Sequence, residues 1–196
     1  MGVRLGVLAL QGDVSEHIRG FERALRDAGI PDGTVVPVRR PGDLGGLCGI
    51  AIPGGESTTI SRLIEKNGLF DPLAHFDGGV FATCAGMVLA ATRVDDPRVR
   101  PLGLIEMTVR RNAFGRQRES FEADIPVSGL DRPYRAYFIR APVATGVGPG
   151  VEVLARVDEG IVAVRKGKHI ALSFHPELGE DTRVHGIFLE GLGILE

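Results

Sequence analysis

The chain has 196 residues, of which 43% are hydrophobic, so it is long enough to bury one sizeable core and short for two full domains. Its formal net charge of -2 argues against a dominant role in binding nucleic acid or an anionic membrane surface. The two cysteines, Cys48 and Cys84, fit neither a disulfide framework nor a metal-binding spacing. With no signal-peptide pattern and no apolar stretch long enough to cross a bilayer, we expect a cytoplasmic protein with a single domain over residues 1–196.

Short apolar runs alternate with amphipathic stretches in the first half of the chain. Strands are predicted over residues 3–10, 34–38, 49–53 and 79–83. Helices are predicted from Asp13, with Glu16 as its capping partner, to Gly29, and over residues 57–67 and 84–91. This alternation is typical of a parallel sheet that is covered by helices on both faces.

The second half is dominated by strand-like segments joined by turns. Strands are predicted over residues 102–110, 121–127, 135–139, 151–157, 161–165 and 169–174, and a helix over residues 181–195. The whole chain therefore predicts one α/β domain with a mostly parallel central sheet, flanking helices and a smaller antiparallel excursion.

Cys84 follows an apolar strand and opens a predicted helix. A nucleophile on such a sharp turn needs small neighbours two positions away on either side, and Ala82 and Gly86 meet that need. The backbone amide of Ala85 would then lie where an oxyanion forms. A free cysteine is also commonly a buried structural residue, so this segment alone leaves both interpretations open.

The segment His175-Pro176-Glu177 can supply a base and the carboxylate that orients it. Residues two apart in an extended segment face the same side, and the proline restricts the backbone between them. The preceding apolar strand would deliver His175 to the carboxyl end of the sheet, where the sites of open α/β sheets lie. The remaining histidines are expected to be structural: His17, His75, His169 and His185.

A glycine-rich turn, Gly54-Gly55, lies between a predicted strand and a predicted helix. Its backbone amides can complete an oxyanion hole or bind an anion, although the lysine of a phosphate-binding loop is missing. The alternative is a plain turn with Ser57 as the helix N-cap. A cluster of basic residues is either a solvated strand edge or part of a site: Arg110, Arg111, Arg116 and Arg118.

Several segments, in chain order, together resemble one known family. They are residues 10–12, 53–59, 83–86, 111–117, 120–124, 138–142 and 173–178. They are similar to the glutaminase subunits of pyridoxal 5′-phosphate synthase, which belong to the class I (triad) glutamine amidotransferases. The resemblance covers nearly the whole chain and implies the flavodoxin-like fold of that class.

The resemblance also implies a role for each matching residue. Cys84 would be the nucleophile, His175 the general base and acid, and Glu177 the orienting carboxylate. The oxyanion hole would be formed around Gly54, Gly55 and Ala85. The residues expected to hold glutamine are Gln11, Gly55, Glu56, Ser57, Arg111, Ile139 and Arg140.

The activity implied by the resemblance is hydrolysis of L-glutamine through a thioester on Cys84. The ammonia would pass to a partner synthase subunit in a hetero-oligomer that makes pyridoxal 5′-phosphate, and the free chain would be slow until that partner docks. We expect no cofactor, no metal, no nucleic acid and no membrane partner. Two alternatives remain open: another cysteine hydrolase, such as a γ-glutamyl peptidase or an intracellular protease, and a catalytically silent subunit that only stabilises a partner.

Overall fold

The computed structural model describes residues 2–115 and 119–195 and has an α/β architecture. Its strands are β1 (Arg4–Leu8), β2 (Thr34–Val38), β3 (Gly49–Ile52), β4 (Gly79–Thr83), β5 (Ala91–Val94), β6 (Ile105–Arg110), β7 (Ser120–Ile125), β8 (Tyr134–Ile139), β9 (Val143–Val147), β10 (Glu152–Val157), β11 (Gly160–Lys166) and β12 (His169–Leu172). Its α-helices are α1 (Val14–Asp27), α2 (Ser57–Lys66), α3 (Phe70–Ala74), α4 (Ala85–Ala90) and α5 (Arg183–Gly191), and short 3-10 turns cover Pro41–Leu44 and Pro176–Leu178.

Within the described residues, ten strands form one sheet in the order β2-β1-β3-β4-β12-β11-β9-β6-β5, with β10 paired to β11. The strands from β2 to β12 run parallel, whereas the pairings from β12 through β11 and β9 to β6 are antiparallel. Strands β7 and β8 form a separate antiparallel pair. The predicted α/β class, with a parallel centre and an antiparallel excursion, is confirmed.

The parallel centre is apolar because helices cover both of its faces. Alternate residues of one strand enter opposite cores: Val80 and Ala82 pack on one side, and Phe81 packs on the other. Helices α2, α3 and α4 cover the first side, while α1 and α5 cover the second, where Phe21 and Phe188 contact the Phe81 ring. These two cores fix the strand ends that carry the site.

Several predicted element boundaries were wrong. Strands β5 and β9 were missed, since β5 continues directly from the end of α4 and β9 contains the turn-like Gly146. The closing helix is shorter than predicted: the Asp181 carboxylate accepts a hydrogen bond from the backbone N–H of Arg183, where the helix begins. No α-helix in residues 2–115 or 119–195 is long and apolar enough to cross a membrane.

The N-terminal caps of two helices also differ from expectation. The Asp13 side chain makes no capping hydrogen bond within the described part of the chain, and Glu16 accepts one from the Ser15 hydroxyl instead. Helix α2 is capped by Glu56, whose carboxylate accepts from the Thr58 N–H, rather than by Ser57. The Asp13 carboxylate is therefore left available to the neighbouring cavity.

Candidate active site

The candidate site lies at the carboxyl ends of β4 and β12, which are parallel neighbours. Thr83 at the end of β4 is in register with Leu172 at the end of β12. The Cys84 N–H continues this pairing by donating to the Leu172 carbonyl oxygen at 2.8 Å. The residues that follow the two strands, Cys84 and His175, consequently emerge at the same edge of the sheet.

Cys84 occupies a sharp turn between β4 and α4. Its φ of 49° lies in the left-handed region, which non-glycine residues rarely adopt outside functional sites. A Cβ at Gly86 would run into the carbonyl oxygen of Ile52, so the turn requires glycine there. The Cys84 side chain is mostly buried but lines the cavity, with its Sγ 3.7 Å from the Ile139 carbonyl oxygen.

His175 is fixed in place by its backbone and by its ring. Its N–H donates to the Tyr137 carbonyl oxygen at 2.9 Å, and its Nδ1 lies 2.6 Å from Oε1 of Glu177. Burial of the ring favours the neutral imidazole, but interactions with the Asp13 and Glu177 carboxylates and with the Cys84 thiol outweigh it. The pKa of His175 is therefore raised above its ordinary value of 6.5, which favours the imidazolium next to the thiol.

Glu177 is buried beneath this ring and contacts a second imidazole. Its Oε1 lies 3.4 Å from Nε2 of His17, which is fully buried and was expected to be structural. Burial would raise the pKa of the carboxyl, but the His17 and His175 rings outweigh that effect and lower it. The result is a carboxylate that stays ionised in a nearly dry environment.

A cavity of about 330 Å³ opens in front of the thiol and the imidazole, within the size range of small-molecule sites. Most residues predicted to contact the substrate or an oxyanion line it: Gly55, Glu56, Ser57, Cys84, Ala85, Arg111, Ile139, Arg140 and His175. Asp13, Val88, Asn112 and Pro142 also line it, although none of them was predicted to belong to the site.

Two of the predicted site residues lie behind the cavity wall. The Gln11 side-chain oxygen accepts a hydrogen bond from the Glu56 N–H at 3.0 Å, so this side chain supports the glycine loop. Gly54 is buried, and a Cβ there would overlap the His175 ring. Neither residue is among the described residues that line the cavity, and the roles of Gln11 in binding glutamine and of Gly54 in the oxyanion hole stay predictions.

The glycine loop packs closely against the start of α1. Gly12 has a φ of 103°, and a Cβ there would overlap the Gly54 carbonyl oxygen. Gly55 has a φ of 146°, and a Cβ there would come within 2.5 Å of the Gln11 side-chain oxygen. Because the carbonyl and N–H of a trans peptide point to opposite sides, the Gly55 N–H points away from Gly12.

Arg111 places a guanidinium at the cavity wall. One of its terminal nitrogens lies 2.9 Å from Oε1 of Glu56, and the other pairs with the Asp96 carboxylate. The paired acids hold the planar fork in position, and such a fork suits a ligand carboxylate. Of the other basic residues noted in the sequence, Arg110 is exposed, and Arg116 and Arg118, with Gln117 between them, lie outside the described residues.

Asp13 and His17 lie close to His175 and Glu177, which was not predicted from the sequence. Asp13 is the residue directly before α1, and His17 lies four positions later in its first turn, so both side chains face the same side, which meets His175 and Glu177. The i, i+4 spacing of an acid and a histidine is the feature of the sequence that could have predicted a common position for these two residues near the site.

Comparison with known proteins agrees with this geometry. Residues 7–193 match the SNO glutamine amidotransferase family. A relative from Methanoculleus marisnigri, named pyridoxal 5′-phosphate synthase subunit PdxT, is 66% identical over 194 residues, covering 99% of this chain and 100% of the relative. A relative of the same name from Methanosphaerula palustris is 64% identical over 195 residues, covering 100% of both chains. A crystal structure of a glutamine amidotransferase superposes with a TM-score of 0.85 at 46% identity, covering 96% of this chain and 98% of the other.

Proposed function

The chain belongs to the SNO glutamine amidotransferase family, and from that premise we propose that it hydrolyses L-glutamine and supplies the ammonia for pyridoxal 5′-phosphate synthesis. Relatives at 64% and 66% identity carry the name of a pyridoxal 5′-phosphate synthase subunit. The observation that carries the proposal is a cysteine thiol on a strained turn that faces, in one cavity, a histidine held by a buried glutamate. Neither a silent subunit nor a purely structural cysteine needs that arrangement.

The first half of the reaction forms a thioester. With its proton held by His175, the Cys84 sulfur attacks the side-chain amide carbon of glutamine, and the carbonyl oxygen becomes an oxyanion. His175 gives its proton to the nitrogen as the carbon–nitrogen bond breaks, which releases ammonia and leaves a γ-glutamyl thioester on Cys84. Glu177 stays ionised and keeps the ring oriented throughout.

The second half regenerates the thiol. His175 removes a proton from water, whose oxygen attacks the thioester carbon. The carbon–sulfur bond then breaks, L-glutamate leaves, and the thiolate again shares its proton with His175. Glutamine and water are thereby converted into glutamate and ammonia, with no oxidation or reduction.

Backbone amides are assigned to the oxyanion because it forms next to the sulfur. The Ala85 N–H follows Cys84 at the start of α4, and the peptide that joins Gly54 to the cavity-lining Gly55 offers the second N–H. Removing one such donor typically costs about 3 kcal/mol of transition-state stabilisation. The Gly54-Gly55 loop, braced by Gln11, is the part of the site that can change its peptide orientation at low cost.

The α-carboxylate and the α-ammonium group of glutamine need partners of opposite charge. Arg111 offers its fork to the α-carboxylate, and the Glu56 carboxylate next to it suits the α-ammonium group. Ser57 and Arg140, together with the carbonyl oxygen of Ile139, complete the wall around the side-chain amide. A substrate with only one of these charged groups would leave either Arg111 or Glu56 without a substrate partner.

The recipient of the ammonia is a synthase subunit, with which the chain forms a hetero-oligomer. In this proposal residues 1–196 form one glutamine amidotransferase domain that acts in the cytoplasm, and docking of the synthase accelerates a slow free chain. Direct transfer fits a site at the edge of the sheet, where the cavity opens to the surface.

The deciding experiment measures ammonia release from L-glutamine with and without the cognate synthase. We expect Cys84→Ala to abolish release in both conditions, and Cys48→Ala, which changes the other free cysteine, to retain it. Substantial turnover by the Cys84→Ala variant would refute the thioester. Equal rates with and without the synthase would refute the acceleration on docking.

A further inference from the structure

We propose that His17 is a positioning residue that joins the Glu177 carboxylate to the strand end carrying Cys84. The inference deepens the proposed function and rests on it. His17 Nε2 lies 2.9 Å from the Thr83 hydroxyl and 3.4 Å from Glu177 Oε1. Since Thr83 is the residue directly before the nucleophile, one imidazole contacts both arms of the triad.

The partners of the two ring nitrogens of His17 determine which atom donates in these contacts. Among residues 2–115 and 119–195, nothing pairs with His17 Nδ1, and the ring is fully buried. A buried N–H without an acceptor is rarer than a lone pair without a donor, so the proton belongs on Nε2. His17 therefore donates from Nε2 to the Thr83 hydroxyl at 2.9 Å, and the same N–H lies against Glu177 Oε1 at the longer distance of 3.4 Å.

This donation restricts how the Glu177 carboxylate can rotate. Oε1 receives both the His175 and the His17 contacts, whereas Oε2 has no hydrogen-bond partner in the described part of the chain. If His17 were absent, only His175 would hold the Glu177 carboxylate. The carboxylate could then rotate while keeping its single contact with His175. The angle of the His175 ring towards the Cys84 sulfur would then be less well defined.

Other groups near His17 do not explain its position. His185, on α5, is the next imidazole, but its ring stacks on Phe81 at 5.1 Å between centroids, and neither of its nitrogens has a partner in the two described ranges. Burial lowers the pKa of His185 to about 3, so it stays neutral. His17 and His185 are thus two fully buried histidines of the same core, of which only His17 contacts the triad, and this provides a matched control.

The test is steady-state ammonia release by the complex with the synthase, comparing His17→Leu, His17→Gln and His185→Leu. We expect His17→Leu to lower kcat about ten- to a hundred-fold, with KM for glutamine changed by about two-fold or less. The Gln side chain can place an N–H where Nε2 lies, so His17→Gln should recover most of the loss. His185→Leu should keep the wild-type kcat.

A double variant identifies the route of the effect. If His17 acts through Glu177, the loss caused by His17→Leu should shrink to about two-fold or less in a Glu177→Gln background. An equal loss in both backgrounds would overturn the proposal, as would a wild-type kcat for His17→Leu. Should His17→Leu fail to fold, His17→Asn takes its place: its shorter amide cannot reach Glu177, so it should be as slow as predicted for Leu, and wild-type kcat would contradict the assignment.

A second readout is independent of glutamine turnover. In a Cys48→Ser background, the rate of Cys84 alkylation by iodoacetamide near neutral pH reports on how far His175 takes up the proton of the thiol. We expect slower alkylation for His17→Leu and a restored rate for His17→Gln, and equal rates in all variants would refute the role of His17. Absence of ammonia release by the wild type would instead refute the proposed function, so the two failures are distinguishable.

Discussion

The imidazole of His175 and the carboxylate of Glu177 are joined by a hydrogen bond of 2.6 Å between Nδ1 and Oε1. Both side chains are almost excluded from water, with residue exposures of 4% and 7%. In such surroundings a charged pair is stable only when its geometry is good, and a short contact of this kind fixes both the angle and the tautomer of the ring. This contact therefore determines how His175 faces Cys84.

The first prediction concerns the orientation of the ring. Glu177→Gln keeps the shape of the side chain but removes the charge that orients and stabilises the imidazolium, so we expect kcat to fall by about a hundred-fold or more. The residues proposed to bind the substrate L-glutamine do not include Glu177, so KM should stay within about three-fold of wild type. The assay is steady-state ammonia release, with the exposed Glu180→Gln as a control that keeps wild-type rates. A large rise in KM with unchanged kcat would contradict the assigned role.

The second prediction concerns stability and pH. Although burial opposes both shifts, the pKa of Glu177 is lowered from 4.5 by His17 and His175, and that of His175 is raised from 6.5 by Asp13, Cys84 and Glu177. A lowered carboxyl pKa stabilises the fold above 4.5 and loses this contribution as the pH falls towards the folded pKa. A raised histidine pKa contributes fully below 6.5 and is lost as the pH rises through the folded pKa.

Both contributions are consequently present between pH 4.5 and 6.5. Urea unfolding near pH 6 should show Glu177→Gln to be less stable than wild type by about 3 kcal/mol, since the substitution breaks a buried pair. The difference should shrink steadily below pH 4.5, because the unfolded chain then takes up a proton on this carboxyl that the native state, with its lowered pKa, does not. A difference that stays constant down to acid pH would show that Glu177 does not stabilise the fold through its charge.

The parallel half of the fold was predictable because each of its strands is a local signal. The apolar runs at β2 and β4 are bounded by glycine or proline and match the predicted ranges. The three residues of the proposed triad also come from local patterns, since a cysteine between small residues and a His-x-Glu segment are both short. Register between β4 and β12 then brings them together without any further signal in the sequence.

The rest of the site depends on contacts between distant segments. Asp13 has the appearance of an ordinary N-cap, and only the packing of α1 against residues 176–178 brings its carboxylate to His175. His17 lies on the buried face of an amphipathic helix, where an apolar contact is the default expectation. The role of Gln11 in binding glutamine stays a prediction, and the structure adds its contact with the Glu56 backbone.

The third prediction concerns recognition of the amino acid. Arg111→Lys keeps one positive charge but loses the planar fork, so we expect KM for glutamine to rise about ten-fold while kcat changes much less. Arg98→Lys is the matched control, because Arg98 pairs with the same Asp96 carboxylate and does not line the cavity among the described residues. Equal effects of the two substitutions would mean that Arg111 acts through Asp96 rather than through glutamine.

The fourth prediction concerns the contact between Gly12 and the Gly54-Gly55 loop. A methyl group at Gly12 would overlap the Gly54 carbonyl oxygen, and it would also have to adopt a φ of 103°. We expect Gly12→Ala to displace the loop peptide and to lower kcat by about a hundred-fold, the usual cost of one oxyanion donor. Ammonia release with saturating glutamine and thermal unfolding are the two measurements.

A control separates displacement of the loop from simple backbone strain. Gly29 has a φ of 73°, and a Cβ there would meet nothing within 4 Å, so Gly29→Ala imposes the unfavourable φ alone. Both variants should lose about 1 kcal/mol of stability from that conformation, but only Gly12→Ala should lose turnover. Wild-type kcat in Gly12→Ala would mean that the Gly54 carbonyl can move without disturbing the oxyanion hole, and the hole would then have to be assigned to amides outside this loop.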